Sequence, residues 1–199
     1  MKVKIKKQGK VKEFKLINSW SDVTMETWLK LTEYETGTKT EQALNTIQAV
    51  SDIPNQLVKE LSLSDAAVIM SKVAELQAKQ NTKLKRIIKI NDIEYGFHPD
   101  LDSITLGEYA DIETFIKNGI ENQLPELCAV LYRPIKEKKN DKYTIEPYDA
   151  DIRMRTEEMK QMSAEQVQSA LVFFYHLGMV FCEIMPSYLA ERLKAMKMQ

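Results

Sequence analysis

Phe97-His-Pro-Asp-Leu-Asp-Ser-Ile-Thr-Leu-Gly-Glu-Tyr-Ala-Asp-Ile-Glu-Thr-Phe115 carries the densest set of structural instructions in the chain. His98-Pro99 closes an extended segment, because the residue before a proline is pushed away from helical geometry. Thr105 followed three residues later by Glu108 forms a capping box, with the hydroxyl satisfying a free helix N–H and the carboxylate reaching back to the cap's own amide. A helix is therefore predicted to begin at Leu106. Leu106, Tyr109, Ile112, Phe115 and Ile116 recur at helical spacing, whereas Asp111 and Glu113 fall elsewhere on the circle. The apolar face is predicted to be buried against another element or subunit, and Asn118-Gly119 to stop the helix.

On the N-terminal side, Ile87, Ile88 and Ile90 precede Asn91-Asp92, and Ile93, Tyr95 and Phe97 follow it, the pattern of a β-hairpin over about 84–97. A second hairpin is predicted over about 2–17, where Val3 and Ile5 alternate with lysines and Val11, Phe14 and Leu16 follow Gln8-Gly9. Between the hairpins, helices are predicted over Met25 to Tyr34 behind Thr24, from Thr40 to Val50, from Asn55 to Leu61, and from Ser64 to about Ala78. Beyond Gly119, Leu124 to Leu131 reads as a helix with Pro125 in its first turn and Pro134 marking its end. The charged segment 136–149 reads as a projecting loop or small hairpin with a β-like piece at Tyr143 to Ile145. Residues 150–161 are helix-prone. Ser163 with Gln166 caps a long helix to Met185, Pro186 breaks it, and a shorter helix with Tyr188, Leu189, Leu193 and Met196 follows. The expected fold is α+β and predominantly α-helical, with residues 1–80 as one group and 81–199 as the other, or both continuous.

The chain has 199 residues and can bury a sizeable core without disulfides or metal. Its 28 basic and 29 acidic side chains nearly cancel, so no overall charge steers it to nucleic acid. Cys128 and Cys182 lack the close Cys or His neighbours of a zinc site, which points to a reduced intracellular setting. Met1-Lys-Val-Lys-Ile-Lys-Lys7 is basic without an apolar stretch behind it, so a secretory leader is not expected. The longest apolar run, Ala170 to Cys182, is shorter than the roughly 20 residues that span a bilayer and contains His176, so no membrane span is expected.

No pattern specifies a reaction. Asp100, Asp102 and Glu108 have the alternate spacing of calcium ligands, but Ile104 and Thr105 occupy the places that need a ligand and a glycine. His176 lies among Phe173, Phe174, Tyr175, Leu177 and Met179 with no histidine or carboxylate one helical turn away, and reads as a hydrogen-bonded core or interface residue. His98 reads as structural for the same lack of a partner. Cys182 has apolar surroundings and no nearby base, which suits packing better than nucleophilic attack. Phosphate loops, zinc-protease motifs and nucleophile elbows are all missing from the sequence. The expectation is a protein without catalytic residues, metal ligands or cofactor. The ten methionines, many in the C-terminal part, supply flexible apolar surface for core filling or for contact with irregular partners.

Two segments resemble a known group: Trp20-Ser-Asp-Val-Thr-Met-Glu-Thr-Trp-Leu-Lys-Leu31, and Ile104-Thr-Leu-Gly-Glu-Tyr-Ala-Asp-Ile112 with Leu131-Tyr-Arg-Pro-Ile135 after it. They resemble morphogenesis and virion proteins of tailed bacteriophages, including crAss-like phages, over about Trp20 to Phe174. The resemblance implies a non-enzymatic structural protein, a portal- or tail-associated ring or cargo component. It would reside in the virion, and in the host cytoplasm during assembly, touching other phage structural proteins and copies of itself. The alternative it implies is a tail assembly chaperone, absent from finished particles. Candidate interface residues are Leu106, Tyr109, Ile112 and Phe115 on the capped helix, Tyr143 in the 136–149 segment and Tyr188 near the C-terminus. A third reading, a nucleic-acid-binding regulator, rests on the basic N-terminal hairpin, where Lys4, Lys6 and Lys12 stand among seven lysines against Glu13 alone. Lysines that discourage edge-to-edge strand pairing are the plainer explanation of that charge.

Overall fold

The computed structural model describes residues 1–7, 10–33, 37–77, 83–140 and 142–183. The Gln8-Gly9 turn and everything after Glu183, including Pro186 and Tyr188, lie outside the described residues. Among the described residues the fold is α+β and predominantly α-helical, with one two-stranded and one four-stranded antiparallel sheet. Two compact units divide the chain, one within Met1–Asn81 and Lys160–Val167, the other within Thr82–Met159 and Gln168–Gln199.

In the first unit, β1 (Lys2–Lys7) pairs with β2 (Lys10–Lys15), setting Val3 opposite Phe14 and Ile5 opposite Lys12. Four helices follow, α1 (Met25–Glu33), α2 (Lys39–Val50), α3 (Asn55–Val58) and α4 (Leu63–Gln77). The starts of α2 and α4 each differ from the sequence reading because an earlier hydroxyl provides the cap. Thr38 and Glu41 form a full capping box, and Ser62 Oγ accepts the Asp65 N–H at 3.1 Å. α2 packs against α1, α3 and α4. Val3, Leu16, Trp20, Ile47, Val50, Ile69 and Val73 form the core between them. A return of the chain completes this unit. Met25 N–H donates to Met162 O at 2.6 Å, and Ala164 N–H donates to Val23 O at 2.7 Å.

The second unit is built on a sheet of order β3-β4-β5-β6, with β3 (Ile87–Ile90), β4 (Ile93–Phe97), β5 (Tyr132–Lys139) and β6 (Lys142–Ile145). Asn91 and Asp92 turn the β3–β4 hairpin with φ of 47° and 69°, the left-handed pair a two-residue hairpin turn needs. Its helices are α5 (Leu106–Lys117), α6 (Leu124–Leu131), α7 (Arg153–Met159) and, from residue 168 on, α8 (Ala164–Glu183). Ser163 and Gln166 cap α8 as the sequence predicts, with Ser163 N–H donating to Gln166 Oε1 at 2.9 Å. Every residue of α6 except Glu126 is buried, as expected of a helix that is apolar at all its other positions, and it packs against α5 and α7. Ile88, Tyr95, Phe97 and Tyr132 are buried, and Phe97 meets Tyr132 and Phe173 edge-on at centroid distances of 5.1 and 4.9 Å.

Pro134 does not open a loop. The helix ends at Leu131, and Pro134 lies inside β5, opposite Tyr95. Its carbonyl accepts the Glu146 N–H at 3.0 Å, so its missing N–H also faces the β6 side, beside the register shift between Ile135 and Glu137. No β4–β5 ladder bond is lost by placing proline there. Of the two forms expected for residues 136–149, most of the segment takes the hairpin, joined through β4 to the one before it.

Candidate functional site

The most densely charged interior point lies where the end of β4, the start of α5 and the start of β5 meet in the second unit. Pairing of Gly96 with Arg133 brings β5 alongside β4, and His98 continues from β4 with its N–H donating to Leu131 O at 2.7 Å. Glu108 is the third residue of α5. Its Oε2 accepts from the Thr105 N–H at 2.8 Å and the Thr105 hydroxyl at 2.6 Å. Its Oε1 lies 2.7 Å from Arg133 Nη2 and 3.6 Å from His98 Nε2. Side-chain exposure is 8% for His98, 4% for Arg133 and 1% for Glu108. One carboxylate thus caps a helix and holds that helix to the sheet. Tyr148 covers the neighbouring surface, 6.0 Å from the Arg133 guanidinium to its ring centroid, with its hydroxyl bonded to Asp111.

Burial raises the proton affinity of Glu108, but the Thr105 hydrogen bonds and the Arg133 and His98 charges outweigh it and hold the carboxyl below its ordinary value. Burial lowers both His98 and Arg133, against the pull of Glu108. Near neutral pH the cluster is a carboxylate and a guanidinium beside a neutral imidazole. Arg133 Nε makes no hydrogen bond among the described residues, so the arginine depends on its ion pair with Glu108. None of the three presents a reactive atom to solvent, and the arrangement acts as a lock rather than as an acid–base couple.

This lock has a pH signature. The ordinary histidine value of 6.5 applies to the unfolded chain, and His98 lies below it when folded, so the unfolded state binds the extra proton first. Its contribution is complete above that value and falls as pH drops toward the lowered one. The charged groups acting on the ring are Glu108, Arg133 and Asp100. Urea unfolding from about pH 7.5 down to about 5 should show falling stability, with a shallower slope in H98Q. Equal slopes would remove His98 from the account. Glu108, lowered from 4.5, adds its own loss only at more acid pH.

The residues predicted as an interface occupy different settings. Leu106 is 83% exposed, whereas Ile112 is completely buried within its own unit. Tyr109 and Phe115 are half-buried. The inward positions of α5 are Glu108 and Ile112, so its buried stripe is rotated away from Leu106 because a charged residue occupies one inward place. Tyr143 is half-buried, and its hydroxyl donates to Phe97 O at 2.6 Å. Tyr188 lies outside the described residues.

The other candidates also find places. Asp100 caps the short turn at Leu101–Ser103 by accepting the Asp102 N–H at 3.1 Å. No group of three or more His, Cys, Asp or Glu among the described residues is arranged to hold a metal ion. His98 has buried charged neighbours that its local sequence does not reveal. His176 is exposed rather than in the core, with Nδ1 2.8 Å from Val172 O. Burial pushes the Cys128 thiol up, and the Cys182 side chain is outside the description. An open cleft of about 590 Å³ is lined by Lys136 and Arg155 together with Glu146 and Asp149, whose opposite charges offset one another.

An outward row on α8 is a feature the sequence reading missed. Val172, Tyr175 and Met179 are 38%, 44% and 54% exposed, while Phe174 between them is fully buried. The spacing of three and four places the exposed residues along one side of the helix. The signal was the apolar run from Ala170 to Cys182 on either side of His176, with more apolar residues than a half-buried helix needs on its inner side.

Comparison with protein-family models, curated proteins and solved structures finds no match to this chain.

Proposed function

We propose that the chain is a non-enzymatic structural component of a tailed-bacteriophage particle, a portal- or tail-associated ring or cargo subunit acting through repeated contacts with neighbouring subunits and copies of itself. The observation that carries the reading is the outward apolar row of α8, Val172, Tyr175 and Met179. Adjacent exposed apolar side chains of this kind mark surfaces that are covered in an assembly. Small contacts suffice there, because symmetry repeats each one and neighbouring contacts raise the effective concentration of the next. The short phage-like segments at Trp20 to Leu31 and Ile104 to Ile112 supply the context.

Quantitative mass spectrometry of purified, nuclease-treated particles of the encoding phage tests the reading. A fixed copy number in a simple ratio to the portal protein supports it. Absence from complete particles overturns it in favour of the tail assembly chaperone. The surface itself is tested by V172S/M179S, which should reduce incorporation into particles at least ten-fold. Because both side chains are partly exposed, urea stability should change by only about 0.5 kcal/mol. Unchanged incorporation would remove the α8 row from the assembly contacts.

A further inference from the structure

Leu63 is 91% exposed, more than any other large apolar side chain among the described residues, and it stands at the start of α4 in the first unit. The buried side of α4 is carried by Ile69 and Val73, at 0% and 2%. Leu63, Ala67, Met70 and Ala74 follow a spacing of four, three and four, which sets them along one side of the helix. Leu63, Ala67 and Ala74 are exposed, and Met70 is half-buried at the rim of the core. Of the exposed positions of α4 only Glu75 is charged, whereas the side of a helix that stays in water is normally rich in charge.

We infer that this side of α4 docks against α4 of a second copy of the chain, antiparallel about a two-fold axis, independently of the α8 row and of the particle proposed above. Side-chain size selects the direction. With Leu63 set against Ala74 of the second copy, the same register sets Met70 against Ala67, so each large side chain meets a methyl group and both pairs recur by symmetry. A parallel pair would face Ala67 and Ala74 with their own copies and leave gaps between the layers of Leu63 and Met70.

Charge selects the same direction. Glu75 lies in the last turn of α4, at the negative end of its own helix dipole. Antiparallel docking brings it to the start of the other α4, where Ser62 Oγ accepts the Asp65 N–H at 3.1 Å and the N–H groups of Leu63 and Ser64 are left over. A parallel pair would put Glu75 beside its own copy. The alanines of the row let the two helices approach at the near end of the usual range of about 8–10 Å. With 15 residues α4 is about 22 Å long, so one such contact stays below the roughly 1,200 Å² of a standard interface. The dimer is therefore weak and forms as protein concentration rises.

Sedimentation equilibrium of the purified intact chain, up to millimolar concentration, should show reversible dimers. L63S should weaken association roughly ten-fold, because each copy loses the burial of one leucine. E75K should weaken it about three-fold and leave thermal stability equal or higher, since a lysine suits the end of its own helix. A merely structural role would move stability and not association. V172S/M179S should dimerise as the parent does, which keeps failure here distinct from failure of the α8 reading. Oxidative cross-linking in a C182S background fixes the direction. In the antiparallel register Ala67 lies about 4.5 Å along the axis from its own copy, and Ala74 about 16 Å from its own. A67C should therefore form a disulfide between chains, and A74C should not. The proposal is overturned if the parent stays monomeric, if L63S associates as tightly, if V172S/M179S abolishes association, or if A67C cross-links no faster than A74C.

Discussion

Replacing Glu108 with glutamine is expected to lower the free energy of unfolding by about 3–5 kcal/mol, because it leaves a buried guanidinium without its counter-charge. The pair is almost completely enclosed, with side-chain exposures of 4% for Arg133 and 1% for Glu108, so water cannot replace the lost partner. Glutamine keeps the size of the side chain and can still accept from Thr105, which isolates charge from shape. T105A removes the cap alone and should cost about 1 kcal/mol. The double variant E108L/R133M removes both charges and fills similar volume. It should recover most of the loss, since an apolar replacement of a whole buried pair is often neutral or better. Urea unfolding of the three variants decides the matter. A loss below about 1 kcal/mol in E108Q, or a double variant as unstable as the single, would show that the ion pair does not hold α5 to the sheet.

The half of this lock written in local sequence is legible, and the half that depends on pairing is not. Thr105 and Glu108 announce the helix start through a spacing of three, and the carboxylate caps as that spacing requires. Nothing near Glu108 in sequence points to Arg133, because β4–β5 pairing brings them together. The same division runs through the fold. The hairpins over 2–17 and 84–97 are visible because Asn91-Asp92 and strand alternation are local signals. β5 was hidden by Pro134 and by the run Lys136-Glu-Lys-Lys139, which looks like solvated loop until β4 and β6 are placed on either side of it. The return of residues 160–167 to Val23 and Met25 is made by main-chain bonds, which leave no periodic trace in side chains. Leu106 shows the limit of periodicity itself. A buried glutamate took an inward position, and the apolar count alone rotated the predicted face onto an exposed leucine.

Gly96 offers the severest test of the four-stranded sheet, because its missing side chain is what admits Tyr143. A Cβ at this position would lie 2.4 Å from Tyr143 Cε2, 2.7 Å from Cδ2 and 2.9 Å from Ile145 Cγ2. The requirement is one of space, since Gly96 is not among the residues with positive φ. Tyr143 cannot swing aside without loss. Its hydroxyl donates to Phe97 O at 2.6 Å, with Arg86 O 3.2 Å away, so the ring spans β6, β4 and the approach to β3. G96A should therefore cost about 3 kcal/mol, from overpacking plus the lost hydroxyl bond. Y143F keeps the ring and should cost only about 1 kcal/mol. The decisive comparison is G96A/Y143A against Y143A. Once the ring is gone the added methyl has room, so the double variant should be no less stable than Y143A alone, a strongly non-additive result. Additive losses in that cycle would mean that Tyr143 does not lie over Gly96 and that β6 joins the sheet in a different register.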